Sequence, residues 1–120
     1  MKKFVAIACV ALCLSVATIT LVEAGNIKGP AQGTTICEAR GSVVYHETFF
    51  GNEMARVAIV GDGSTDLDIF VYDMSGRLVV QGIGLTDVER VTWFPERTQT
   101  YRIVVKNLGS TWNRFSMASN

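Results

Sequence analysis

From residue 43 onward, apolar and polar positions alternate along the chain in short runs. A period of two places one face of a β-strand inward and the other outward. Gln99–Lys106 alternates most cleanly, with Tyr101, Ile103 and Val105 on one side and Arg102, Val104 and Lys106 on the other. Leu67–Asp73 sets Leu67, Ile69 and Val71 against Asp68, Phe70 and Tyr72. Val43–Phe50, Arg56–Val60, Arg77–Gln81, Val88–Phe94 and Trp112–Met117 complete the set. Turn residues separate the runs: Gly51-Asn52, the acidic stretch from Gly61, Asp73-Met74-Ser75-Gly76, Pro95 and Asn107-Leu108-Gly109-Ser110. About seven short strands with turn signals at roughly 8–12-residue spacing, and no helical period between them, predict an all-β antiparallel sandwich or barrel. The expected core is Val57, Ile59, Leu67, Ile69, Val71, Leu78, Val80, Val91, Trp93, Tyr101, Ile103, Val105, Phe115 and Met117.

The N-terminal third is of a different character. Lys2 and Lys3 precede an apolar stretch from Phe4 to Val22, and Val22-Glu23-Ala24 forms a cleavage-type sequence before Gly25. This layout predicts a signal peptide over 1–24 and export to the periplasm or medium. An uncleaved anchor and a lipoprotein at Cys9 or Cys13 are the alternatives; no basic stop-transfer cluster follows, Cys9 leaves too short an apolar stretch before it, and Cys13 follows Leu12 where a lipid anchor wants a small residue. Residues 25–42, rich in Gly and small polar side chains, are expected to be a linker or loosely packed arm, leaving 43–120 as one β-sandwich domain. The hydrophobic content of 48% therefore overstates the core. Losing two lysines and one glutamate takes the neutral chain to −1, which gives nucleic acid nothing to bind. Of the three cysteines only Cys37 would remain, so no internal disulfide is expected; it is inert, paired with another chain, or reactive.

Candidate chemistry concentrates in Gly61–Asp73. Asp62, Ser64, Asp66 and Asp68 fall at alternate positions, and clustered oxygens on a loop suit calcium, which takes six to eight of them. An EF-hand loop counted from Asp62 fails, because Leu67 stands where the sharp turn needs Gly and Asp73 replaces the bidentate Glu. The strand half also turns Asp68 and Asp73 away from any ion held at Asp62. A calcium site built on Asp62, Asp66 and Asp68 would thus lie at the sheet rim and borrow a ligand from a neighbouring loop, with Asp87 and Glu89 the donors in view. The competing reading is a solvated turn whose Asp and Ser side chains bond their own backbone. His46, the one histidine, lacks the partners that a triad or a zinc site requires. Gly82-Ile83-Gly84 lacks the remaining glycine and the following helix of a phosphate loop. Phe70 and Tyr72, on the outward phase, and Trp112, beside a turn, are candidates for a binding face for protein or sugar, unless another element covers them.

The segments GDGSTDLDIFVYDMSGRLVV and VTWFPERTQTYRIVVKNLGS, with the closing NRF, resemble bacterial pre-peptidase C-terminal domains over roughly residues 43–120. That resemblance implies a small jelly-roll-like β-sandwich in a non-catalytic role, with calcium near the rim in some relatives and matrix or sugar binding in others. The expected function is an exported binding or structural module acting on an extracellular or envelope protein or carbohydrate. No membrane association is expected after cleavage. A small envelope hydrolase or protease inhibitor is the alternative, the former working through His46 and the latter through the Gly82–Asp87 loop.

Overall fold

A computed structural model describes residues 25–120. The proposed signal peptide and the lipoprotein cysteines Cys9 and Cys13 lie outside the described residues. The described chain forms eight strands: β1 (Ala31–Cys37), β2 (Ser42–Phe49), β3 (Ala55–Val60), β4 (Leu67–Asp73), β5 (Leu78–Gly82), β6 (Val88–Trp93), β7 (Gln99–Asn107) and β8 (Asn113–Ser119). They make two four-stranded antiparallel sheets, ordered β1-β8-β3-β6 and β2-β7-β4-β5. The pairings β1–β8, β2–β7, β3–β6 and β4–β5 nest inside one another, as in a long hairpin rolled into two layers. This is the jelly-roll arrangement of a double-sheet sandwich. No helix among the described residues is long and apolar enough to cross a membrane.

Alternation within each strand fills the space between the sheets. Val57, Ile59, Leu67, Ile69, Val71, Ile103, Val105 and Phe115 are essentially inaccessible, and burying each such side chain contributes about 1.5–3 kcal/mol. At one end Phe49, Trp93 and Tyr101 meet edge to face, with centroids 4.9 Å (Phe49–Trp93), 5.2 Å (Trp93–Tyr101) and 6.2 Å (Phe49–Tyr101) apart. That geometry sets the positive ring edge against a negative face. The tip of the roll is the β4–β5 turn. Asp73 closes it by accepting from the backbone N–H and hydroxyl of Ser75 (3.0 and 2.6 Å) and from the backbone N–H of Arg77 (3.0 Å), and Gly76 takes φ +93°.

Three expectations need correction. There are eight strands rather than about seven, because 25–42 is not simply linker or arm: its residues 31–37 form β1, paired with β8 along its whole length. Leu78, expected in the core, is 43% exposed. A register shift between Val71 and Tyr72 sets Leu78 opposite Tyr72, and Tyr72 is on the outward phase of its strand, so only Val80 packs against the core. Cys37, Phe49 and Ala55 join the core as well.

Candidate metal centre

β4 belongs to one sheet and β6 to the other, and their ends meet at the rim. The chain enters β4 through Asp66, Leu67 and Asp68, with Leu67 buried in the core. β5 runs alongside β4 only as far as Gly82, opposite Ile69, so Asp68 lies just past the end of that pairing. From β6 comes Glu89, opposite Ile59 and on the same inward phase as Val91 and Trp93. Two glycines give it room. A Cβ on Gly82 would stand 2.8 Å from one Glu89 carboxylate oxygen, and a Cβ on Gly84 2.9 Å from the other. The backbone N–H of Gly84 donates to Glu89 Oε2 at 2.7 Å.

The result is a group of three carboxylates, Asp66, Asp68 and Glu89, each offering one oxygen within 4.8 Å of the others. Oxygens bound to one calcium at about 2.3–2.6 Å can lie up to roughly 5 Å apart, so the group has the span of a shared ligand set. Asp68 and Glu89 are 8% and 9% exposed. Asp66 Oδ1 and Asp68 Oδ1 are buried and have no hydrogen-bond partner among the described residues. Burial, then the neighbouring charges of Asp66 and Glu89, push the Asp68 carboxyl above its ordinary value, with Lys106 opposing. Leaving buried acceptors unpaired beside like charges is costly. A cation would relieve both penalties, so the donor set fits a hard, oxygen-seeking metal ion.

The other carboxylates of this region are engaged in structure. Asp62, expected among the ligands, is not part of the group. Its Oδ1 accepts from the Ser64 backbone and hydroxyl (3.0 and 2.6 Å) and its Oδ2 from the backbone of Arg114 (3.0 Å). Those bonds hold its carboxyl below the usual range. Asp87 Oδ2 accepts from Gly63 N–H (2.6 Å) and from the fully buried Asn113 amide (3.0 Å). Asn113 also donates to the Thr65 carbonyl and hydroxyl and accepts from Asp62 N–H. The solvated-turn reading therefore describes Asp62 and Asp73, while Asp66 and Asp68 turn to Glu89.

Phe70 and Tyr72 share the outer face of the second sheet, half-buried, with near-parallel rings 6.5 Å apart. The Arg102 guanidinium lies 4.5 Å from the centre of the Tyr72 ring. Trp112 is 51% exposed but lies in the β7–β8 connection, leading into the other sheet. His46 is exposed on β2 opposite Arg102, and among the described residues no carboxylate hydrogen-bonds or ion-pairs with it. A general base needs such an orienting partner. Cys37 is fully buried, its thiol directed at the carbonyls of Gly41 and Val105. Burial raises its pKa, which disfavours the reactive thiolate. No family model matches this chain, and no curated protein matches it.

Proposed function

We propose that the protein is an exported, non-catalytic β-sandwich module of the pre-peptidase C-terminal type, stabilised by calcium at Asp66, Asp68 and Glu89. The observation that carries the calcium reading is the pair of buried, partnerless carboxylate oxygens on Asp66 and Asp68 beside a third carboxylate from the opposite sheet. An ion there would tie β4 to β6 and fasten the rim of the sandwich. Calcium fits better than softer metals because the donors are all oxygens and, among the described residues, no Cys or His joins the group. The module reading is supported by the resemblance of the Gly61–Val80 and Val91–Ser110 segments to that family, and by the aromatic surface at Phe70 and Tyr72, which suits an extracellular or envelope protein or a carbohydrate. Thermal unfolding with 10 mM calcium against a chelator tests the metal. A rise in Tm is expected, because a ligand that binds only the native state stabilises it by mass action. An unchanged Tm removes calcium from the proposal.

A further inference from the structure

At the opposite edge of the sandwich from β5 and β6, the two sheets end in β1 and β2. Cross-strand neighbours share a face, so Ala31 and Gly33 of β1, paired with the buried Ser119 and Met117 of β8, occupy inward positions. Facing them from β2 are Tyr45 and Glu47, on the inward phase that ends in the buried Phe49. Inward positions of a sandwich edge are ordinarily filled by large apolar side chains. Here the smallest residues stand on one side and a carboxylate on the other. The space left is a cavity of about 170 Å³ lined by residues including Gly33, Tyr45, Glu47, Met117 and Ser119.

Charge sets what can enter. Among the described residues no Lys or Arg lines the cavity, and Glu47 forms no ion pair. Its one hydrogen-bonding partner among the described residues is the buried Asn26 amide, which donates to Oε1 at 2.8 Å. The remaining walls are mostly apolar, an aromatic ring and a thioether among them. The cavity is smaller than the roughly 300–1,000 Å³ of drug-sized pockets, so it matches a single aliphatic side chain rather than a sugar or nucleotide.

We infer that the cleft between β1 and β2 binds a primary alkylammonium group, with the alkyl chain against Tyr45 and Met117 and the ammonium at Glu47. The group is that of a lysine side chain or of a free aliphatic amine. An ammonium is recognised both by a carboxylate and by an aromatic face. The site is independent of the acidic cluster at Asp66, Asp68 and Glu89, which lies on the other edge.

The test is NMR titration of ¹⁵N-labelled protein, expressed from the full-length chain, with n-butylammonium, a lysine-containing tripeptide and neutral 1-butanol. Saturable shifts at the amides of Gly33, Tyr45 and Ser119 are expected for the two amines, with Kd of about 1–10 mM for a five-atom ligand. Glu47→Gln keeps an acceptor for Asn26 and removes the charge, and weakens amine binding tenfold or more. Gly33→Val places two methyl groups in the cavity beyond a Cβ that itself meets no heavy atom within 4 Å, and abolishes binding in a protein whose circular dichroism remains that of the wild type. The tighter of the two amines identifies the source of the ligand. Absence of saturable shifts, equal affinity for butanol, or unchanged binding in both variants overturns the assignment.

Discussion

Replacing Asp68 with Asn should raise stability without calcium and forfeit most of the stabilisation that calcium brings. Without a metal ion, Asp68 is a nearly inaccessible carboxylate with two others within 4.8 Å. Each like-charged pair at that distance repels by about 3.5 kcal/mol at an effective dielectric of 20. Water around the half-buried Asp66 screens part of this, leaving on the order of 1–2 kcal/mol that Asp68→Asn would relieve. For a domain of this size that corresponds to a Tm about 5–15 °C above wild type in chelator. Calcium offsets that advantage, and reverses the order where the site is tight. A rim site with Kd of about 10⁻⁴–10⁻³ M stabilises wild type by roughly 1.4–2.7 kcal/mol at 10 mM ion, and the variant loses most of that gain with its ligand. pH gives a second reading of the same charge. The folded pKa of Asp68 is raised above 3.8, so its stabilising contribution is full below the unfolded value and lost as pH rises through the folded one. Chelated wild type should therefore gain stability from this group on acidification toward pH 4, and Asp68→Asn should not show that gain. Scanning calorimetry of both proteins, with and without calcium, measures all of this. If Asp68→Asn is destabilised in chelator and keeps the full calcium increment, the three carboxylates neither repel nor share an ion as argued.

Gly82→Ala should displace Glu89, given the 2.8 Å approach of its Cβ, and reduce the calcium increment in Tm while far-ultraviolet circular dichroism still reports a β-fold. Asn113→Ala removes the amide that joins Asp62, Thr65 and Asp87 and leaves buried acceptors unpaired, at a cost of about 1–3 kcal/mol by urea denaturation; a change below 0.5 kcal/mol would show that water replaces it freely. Asp73→Ala strips the β4–β5 turn of its cap and should lower the urea midpoint, whereas an unchanged midpoint would show that the turn closes without it. The Asp73 carboxyl is held low by the bonds from Ser75 and Arg77, so its contribution is present above pH 3.8 and lost as pH falls through the folded value. Cys37 should react with a thiol reagent only on unfolding, and fast labelling of native protein would contradict its burial.

Alternation made the strands legible where both faces contrast. In β3, β4 and β7 buried apolar residues recur at alternate positions, and their burial follows the sequence directly. β1 was hidden because its inward positions are Ala31, Gly33, Thr35 and Cys37, of which only Cys37 is buried, so no apolar stripe marks it. Leu78 misled because a bulge is a property of strand pairing, and period two carries no sign of one. The candidate site was half legible. Asp66 and Asp68 stand out in the acidic turn, and the need for a ligand from a neighbouring loop follows from the strand that begins at Leu67. Which carboxylate answers, Glu89 rather than Asp62 or Asp87, depends on how two sheets meet and on the space left at Gly82 and Gly84. Linear spacing does not encode that.

The nesting of β1 with β8 has a consequence for how the chain is made. β8 sits between β1 and β3, so the first sheet stays split until β8 has been synthesised. Only β4 and β5 can pair early through a tight turn; every enclosing pair closes a longer loop at growing entropic cost. A polypeptide emerging from the ribosome would thus hold β1 without its partner until Ser119 is free, and shortening the C-terminus by one strand would leave the N-terminal strand as an unpaired edge, open to capture by other chains.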